Sequence, residues 1–169
     1  MAGAEQRGFT FFWRSESPFS QWHPSTFVVE GVRYMCAEQY MMAGKARLFG
    51  DEEVLEQILK TSSPKTHKAL GRKVRGFDAA VWERERERIV YEASHAKFTQ
   101  NPELLKALLA TEGTELVEAS PLDRIWGVGL GAEDPRIQDP SKWRGLNLLG
   151  KVLTRLREDL LAQRVAQNS

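Results

Sequence analysis

A carboxylate and an amine at helical spacing are the most informative pair of side chains in this chain of 169 residues. Glu38 and Lys45 lie seven residues apart in segment 37–45. At about 100° per residue, this separation places both side chains on one helix face, within about 20° of each other. Met41 and Met42 lie on the same face. Such a pair is either an exposed ion pair or two walls of an active site.

Two further segments carry side chains that could bind a ligand. Ser17–Trp22 combines aromatic rings with hydroxyl groups in a loop, where ligand contacts concentrate, although the rings could also fold onto the core. Trp82 begins a strongly charged helix and could stack on a flat ring or pack in the core. Lys97, at the end of that helix, could reach a phosphate or only complement the helix dipole.

The segment Asp123–Gly129 places an acid, an indole and two glycines within seven residues. Glycine permits close approach of backbone to a ligand, but the same segment could form a tight turn around a buried Trp. The pattern is not a GxGxxG loop, and no βαβ pattern surrounds it, so we reject a dinucleotide site. Asn147, near the start of the last helix, could cap that helix or present its amide to a substrate hydroxyl.

Other chemistries fit the sequence less well. The three histidines are scattered without metal-ligand spacing, and we see neither a serine-hydrolase elbow nor a P-loop. Cys36 is the only cysteine, so it cannot form a disulfide within the chain, and we predict a small buried residue. Lys and Arg number 24 against 23 Asp and Glu, and this balance argues against binding nucleic acid mainly through its phosphates.

The composition predicts a soluble, cytoplasmic protein, and a nuclear location is also compatible with it. The N-terminus lacks the apolar core of a signal peptide, and no apolar run approaches membrane-spanning length. The single cysteine is typical of a reducing compartment. The length predicts one domain over residues 7–164, with flexible termini at 1–6 and 165–169.

The elements that must position these residues follow from local patterns. Strands are predicted over 8–13, 26–29, 32–34 and 115–118, and helices over 37–45, 52–60, from 64, over 77–98, from 102 and over 146–161. Glu30-Gly31 predicts a hairpin turn, while Asp51 and Ser63 are predicted helix caps. Because a hairpin comes first and helices follow, we predict an α+β fold, mostly helical, with a small antiparallel sheet or hairpins.

In their order and spacing, these segments resemble one family, the NADAR or YbiA-like N-glycosidases. The resemblance extends from about Phe9 to Arg157. Its segments are 17–20, 37–40 with Lys45, Trp82, 96–98, 116–120, Asp123 with 126–129, and 145–150. Gln39 stands where the family often has His, and Cys36 stands where a Ser or Thr cap is common.

The resemblance implies a compact α+β domain that cleaves the bond between a ribose carbon and a nitrogen, without a metal or an organic cofactor. It implies two substrate groups, namely ADP-ribose attached to guanine, in a nucleoside or a nucleic-acid base, and early phosphorylated intermediates of riboflavin synthesis. We see no fused riboflavin-pathway domain, which favours ADP-ribose removal. The implied catalytic residues are Lys45, Glu38 and Asp123. The implied substrate-binding residues are Arg14, Phe19, Ser20, Trp82, Lys97, Trp126, Gly127, Gly129 and Asn147.

We hypothesise that Lys45 attacks the anomeric carbon and forms a Schiff-base-like intermediate with an opened ribose, while Glu38 or Asp123 moves protons. This step requires a lysine pKa lowered by burial or by a neighbouring cation. Two alternatives stay open. One is a module that holds ADP-ribose without turnover, against which the retained acid and lysine residues argue. The other is a partner-binding protein that uses the charged helix around Arg84–Arg88.

Overall fold

A computed structural model describes residues 8–168 of the chain. Residues 1–6, predicted as a flexible terminus, lie outside the described residues. The described strands are β1 (Gly8–Phe12), β2 (Phe27–Val29), β3 (Val32–Tyr34) and β4 (Thr114–Glu118). The described α-helices are α1 (Ala37–Leu48), α2 (Glu52–Lys60), α3 (Pro64–Gly71), α4 (Ala79–Gln100), α5 (Pro102–Leu109) and α6 (Leu148–Gln167). Short 3₁₀ helices span Pro135–Gln138 and Pro140–Lys142. The predicted α+β class is confirmed.

Internal contacts divide the chain into two compact units. The central unit comprises Arg14–Leu105, and the terminal unit comprises the segment ending at Trp13 together with the chain from Lys106 onward. The single domain over 7–164 stays a prediction. No helix within residues 8–168 has the length and apolar content needed to cross a membrane.

The central unit begins with the predicted hairpin. Strands β2 and β3 pair antiparallel, with Phe27 opposite Tyr34. Glu30 and Gly31 both have positive φ, at 50° and 78°, as a two-residue type I′ turn requires. The Phe27 and Tyr34 rings stack with centroids 5.7 Å apart, so the hairpin closes over an aromatic core.

The helix caps of the central unit follow the sequence closely. The side chains of Asp51 and Ser63 accept hydrogen bonds from the third residues of α2 and α3, as predicted. Helix α4 begins at Ala79, two residues later than predicted, because Asp78 accepts from the backbone at its start. Cys36 is buried and makes no side-chain cap for α1, as its type suggested.

Helices α1 and α4 run antiparallel in close contact. A Cβ placed on Gly44 would lie 2.8 Å from Ile89 Cγ2, so only glycine permits this approach. Further along the pair, the Tyr40 hydroxyl donates to Glu92 Oε2 at 2.8 Å. Trp82 precedes Ile89 by about two helical turns and lies on the same face of α4. This packing directs Trp82 toward the last turn of α1, which contains Lys45.

The terminal unit corrects one prediction about the sheets. Strand β1 pairs with β4, and the pair is parallel rather than antiparallel, with Gly8 opposite Thr114. The two strands are remote in sequence, and their pairing is a tertiary choice that local patterns do not encode. Helix α6 covers β4 and buries Leu149, Leu153 and Leu156.

Helix α6 is also longer than the predicted helix over 146–161. It continues to Gln167, so residues 165–167, predicted as part of a flexible terminus, are helical in the structure. The exposed stretch 162–167 contains two Ala, two Gln and one Arg, which are good helix formers, and one Val. Propensity therefore extends the helix beyond the point at which its apolar face ends.

Candidate active site

The face of α1 that carries Glu38 and Lys45 is turned inward along most of its length. Glu38, Met41 and Met42 are buried, and Lys45 is half-buried. The Glu38 backbone N–H donates to the Gln21 carbonyl at 3.0 Å, which ties the start of α1 to the preceding loop. Glu38 lies in the first turn and Lys45 in the last turn, and the helix dipole favours each charge at its own end. An exposed surface pair is therefore excluded for Glu38.

The amine of Lys45 lies among aromatic rings. Its Nζ is 4.7 Å from the centroid of Phe77 and 5.6 Å from that of Trp82. Burial lowers the pKa of Lys45, and the nearby charge of Arg72 lowers it further, against an opposing effect of Glu38. The aromatic faces oppose the shift as well, because they attract an ammonium. The pKa of Lys45 is thus shifted in the direction that a nucleophilic amine needs, by burial and by a neighbouring cation, and the role of Lys45 as nucleophile stays a prediction.

Sequence reasoning missed two residues next to this amine, Phe77 and Arg72. Phe77 is 48% exposed and lies between Gly76 and the α4 cap Asp78. The sequence did contain a signal for Phe77. It lies in a turn, between a glycine and a helix cap, whereas an aromatic residue that only fills the core would be expected within a helix or a strand. Arg72 follows α3, and nothing in its sequence context links it to Lys45.

Lys97 occupies an unexpected place. At the end of its helix it could complement the helix dipole or reach a phosphate, but only 1% of it is exposed. Its Nζ donates to the Ser20 carbonyl at 2.9 Å and lies 4.9 Å from the Phe98 centroid. Burial lowers the pKa of Lys97 to about 7, with a small opposing effect of Cys36. The structure thus makes Lys97 an anchor of the loop before α1.

That loop uses its own predicted ligand-binding groups internally. Phe19 is buried, and its ring stacks on Phe98 with centroids 6.3 Å apart. The Ser20 hydroxyl accepts a hydrogen bond from the Trp22 N–H at 3.2 Å. In the structure, Phe19 packs in the core and Ser20 helps to form the turn, while the stacking of Phe19 on a substrate and the polar contact of Ser20 with one stay predictions. Arg14 is exposed, in a left-handed conformation with φ of 72°.

In the terminal unit, the Asp123 side chain accepts hydrogen bonds within its own turn. Its Oδ1 accepts from the N–H groups of Ile125 and Trp126, both at 2.9 Å. Ser120 Oγ in turn accepts from the Asp123 N–H at 3.1 Å. These bonds form the compact turn that was the alternative interpretation of this segment. The Trp126 indole is partly buried, and its stacking on a substrate stays a prediction.

The glycines of this segment approach protein rather than empty space. A Cβ on Gly127 would lie 3.0 Å from the carbonyl oxygens of Asp123 and Glu118. Gly129 has a φ of 71°, and a Cβ there would meet the Arg144 side chain at 3.0 Å. Both glycines are therefore required by the backbone packing of the terminal unit itself.

Asn147 requires a correction to both predicted roles. It precedes α6 in a left-handed conformation and makes no side-chain cap. Its amide oxygen accepts from the Glu118 N–H at 3.0 Å, and its amide nitrogen donates to the Leu116 carbonyl at 3.1 Å. The side chain is fully buried. Its amide thus continues the hydrogen bonding of β4 and is not presented to a substrate.

The predicted residues form one group in each unit. The central unit places Lys45 beside Trp82 at the α1–α4 contact, with Glu38 on the same face of α1, and joins Lys97 to Ser20. The terminal unit gathers Asp123, Trp126, Gly127, Gly129 and Asn147 around one turn beside β4. Across the described part of the chain, no group of three His, Cys, Asp or Glu side chains is arranged to hold a metal ion.

The fold and these segments define the class of protein. The family model described as the NADAR domain matches residues 11–161. The chain therefore belongs to the NADAR family, and the resemblance inferred from its sequence is confirmed.

Similar proteins support the same class. The chain is 47% identical over 146 residues to an N-glycosidase of Acanthamoeba polyphaga mimivirus, with 83% of this chain and 86% of that protein covered. Its fold is similar to the NMR structure of the E. coli protein YbiA, with a TM-score of 0.78, 30% identity and coverage of 95% and 89%. It is also 35% identical over 113 residues to the chloroplastic riboflavin biosynthesis protein PYRR of Zea mays, covering 64% of this chain and 16% of that protein. The predicted enzyme class, a hydrolase of N-glycosyl bonds, agrees with the relatives named N-glycosidases.

Proposed function

We propose that this chain hydrolyses the bond between a ribose carbon and the nitrogen of a base, and that ADP-ribosylated guanine is its substrate, as a nucleoside or within a nucleic acid. The environment of Lys45 supports this proposal most directly. A half-buried amine with a lowered pKa, close to two aromatic rings, is suited to attack a sugar carbon beside a flat base. A module that only binds ADP-ribose has no need of an activated amine.

Lys45 acts as the nucleophile in this scheme. Its neutral Nζ forms a bond to the anomeric carbon as the bond from that carbon to the base nitrogen breaks. The base leaves with the bonding electron pair and takes up a proton. Loss of a proton from the lysine nitrogen and opening of the ribose ring, whose oxygen gains a proton, yield a protonated imine. Water then adds to the imine carbon, and collapse of this adduct frees the sugar and restores the amine.

Glu38 is the proposed proton carrier and the charge partner of the sugar. A buried carboxylate on the same helix face as Lys45 stabilises the positive charge that develops on the ribose ring as the base departs. Asp123 was predicted to share the proton transfers. One of its oxygens holds the turn of the terminal unit, and a chemical role for its other oxygen stays a prediction.

A second candidate substrate is a phosphorylated ribosylamino pyrimidine of riboflavin synthesis. The similarity to a plant protein named for riboflavin biosynthesis favours it. The chemistry at Lys45 would be the same, because this substrate also joins a ribose carbon to a nitrogen on a flat heterocycle. The two candidates therefore differ only in what binds around the reacting carbon.

The first test is release of free ADP-ribose from ADP-ribosylated guanosine, with wild type compared with Lys45→Ala. We expect release by wild type and at least a thousandfold loss in the folded variant, as is usual when a nucleophile is removed. Lys60→Ala is the matched control, since Lys60 also lies in the last turn of a helix but is exposed. If wild type releases the sugar only from the ribosylamino pyrimidine, the second candidate is the substrate.

Borohydride reduction during turnover tests the covalent step. Reduction of the imine should leave the sugar attached to Lys45, with loss of the base, and peptide mass spectrometry would locate it. An active enzyme that never yields an adduct would remove the imine step while leaving the hydrolase in place.

A further inference from the structure

An exposed aromatic ring beside the reactive amine has no role in the scheme so far. Phe77 is 48% exposed, although its ring centroid is 4.7 Å from Lys45 Nζ. One side of the ring contacts Phe49, edge to face, with centroids 5.4 Å apart. Lys45 Nζ lies over the ring, and about half of the residue remains exposed next to this atom, which would attack the sugar.

The turn that carries Phe77 is anchored on both sides. Before it, the Arg75 backbone and guanidinium donate to the Asp51 carboxylate at 2.8 to 3.3 Å, and Val74 is buried. After it, Asp78 caps α4. Gly76 between these anchors has a φ of 76°, a conformation that a side chain would disfavour. The anchored backbone therefore holds Phe77 in its exposed position.

A fixed, exposed phenyl ring costs solvation free energy unless something flat covers it. Both candidate substrates carry an aromatic heterocycle that is joined, through a nitrogen, to the carbon that Lys45 would attack. A ring within 5 Å of the lysine nitrogen lies within reach of that heterocycle in the attacking geometry. The phosphates and the sugar hydroxyls offer no comparable flat, apolar face, and the adenine of ADP-ribose is separated from the reacting ribose by a second ribose and a diphosphate.

We propose that Phe77 is a base-contact residue, whose exposed ring packs against the heterocycle that leaves from the ribose. This inference rests on the proposed function, since it concerns the same site. Phe77 thereby determines specificity for the leaving base, while the remainder of the substrate is bound elsewhere.

Binding without turnover tests the inference directly. The dissociation constant of ADP-ribosylated guanosine is measured in a Lys45→Ala background, which leaves the substrate uncleaved, with Phe77→Ala, Phe77→Leu and Phe77→Tyr added in turn. Free ADP-ribose, which lacks the leaving base, is the matched ligand. Val28→Ala is the matched protein control, because Val28 is 47% exposed and lies on β2, in the same unit.

We expect Phe77→Ala to weaken binding of the uncleaved substrate by about five- to a hundredfold, the range typical of base–aromatic stacking. Phe77→Tyr should restore binding and Phe77→Leu should restore only part of it, while ADP-ribose binding should stay unchanged. Unchanged substrate binding, an equal loss for ADP-ribose, or full recovery with leucine would each overturn the inference.

Wild-type turnover, measured in parallel, separates the two proposals. If wild type cleaves neither candidate substrate but Phe77→Ala still weakens binding of the base-containing ligand alone, the proposed function fails and the base contact stands. If wild type cleaves and the Phe77 variants bind as before, the proposed function stands and the base contact fails. Thermal unfolding of each variant checks that the fold is retained.

Discussion

The central and terminal units place their predicted site residues in opposite situations. In the central unit, Glu38 and Lys97 are buried ionisable groups, and Lys45 has a lowered pKa beside a half-exposed aromatic residue. In the terminal unit, the side chains of Asp123 and Asn147 hydrogen-bond to nearby backbone groups. The first arrangement holds polar groups at a cost in solvation free energy, while the second uses them to build a turn and extend a sheet.

The difference shows that a residue pattern shared with a family can have two physical origins. A chemical origin would leave perturbed groups, and we propose this origin for the Lys45 amine because burial and a neighbouring cation both oppose its charge. A structural origin leaves side chains and glycines that fit the backbone around them. Gly145 and Gly150 are of this second kind, because a Cβ at either position would collide with backbone oxygens of Gly127 and Leu116.

We expect the largest effect on the stability of the terminal unit, whose site residues bind the backbone around them. Asn147→Ala removes the partners of the Glu118 N–H and the Leu116 carbonyl, and the new residue must still adopt a left-handed φ. We expect the free energy of unfolding to fall by about 3–5 kcal/mol, measured by urea denaturation. Asn168→Ala, at the exposed end of α6, is the control. If the Asn147→Ala protein is stable but binds substrate poorly, Asn147 contributes to substrate binding, and the contrast between the two units does not hold for this residue.

Lys97→Met tests whether the central unit buries a neutral amine at a cost in stability. The folded pKa of Lys97 is about 7 and its unfolded value is 10.5, so between these values only the unfolded state holds the proton. Stability of the wild type should therefore rise with pH across this window, relative to the variant. We expect Lys97→Met to be more stable by about 2–3 kcal/mol near pH 7, with the difference shrinking toward pH 10.

The control for this prediction is Lys68→Met, which replaces an exposed lysine of α3. Subtracting wild type from variant cancels the contribution of Tyr40, whose pKa burial raises. A smaller contribution of Cys36 remains, because Lys97 lowers the pKa of that thiol against the larger effect of burial. The Ser20 carbonyl retains its hydrogen bond from the His23 N–H after the substitution. A stability difference that does not vary with pH would show that Lys97 is not buried in its neutral form.

Asp123 allows a finer separation of charge from geometry. Asp123→Ala loses the acceptor for the Ile125 and Trp126 N–H groups and should cost about 1 kcal/mol, whereas Asp123→Asn keeps an acceptor and should cost less than about 0.5 kcal/mol. Urea denaturation of both variants measures this difference. If Asp123→Asn is stable but hydrolyses substrate at least tenfold more slowly, the carboxylate has a chemical role and the two units share the catalysis.

The smallest expected effect concerns the cation beside Lys45. Arg72→Gln removes a positive charge that lowers the pKa of Lys45, so that pKa should rise and the fraction of free amine should fall at neutral pH. The acid limb of the pH–rate profile should move to higher pH, with full activity regained in alkaline buffer. Lys73→Gln, at a nearby exposed position, is the control. A loss of activity that is equal at every pH would assign Arg72 to substrate binding instead.

Much of the fold followed from the sequence because the interactions that form it are local. Glu30-Gly31 fixes a two-residue turn through its backbone conformations, and Asp51 and Ser63 cap helices only three residues away. The spacing of Glu38 and Lys45 places them on one face of α1 whatever surrounds that helix. The family resemblance added the chemistry expected of this face.

The tertiary structure alone decided which of these residues are positioned for chemistry. The parallel pairing of β1 with β4, the burial of Lys97 and the two hydrogen bonds of the Asn147 amide join segments far apart in the chain. Phe77 and Arg72 come to Lys45 from beyond its own helix, and their positions depend on packing that residue spacing does not contain. A pKa depends on every charge and every layer of protein around a group, so it becomes defined only when the chain has folded.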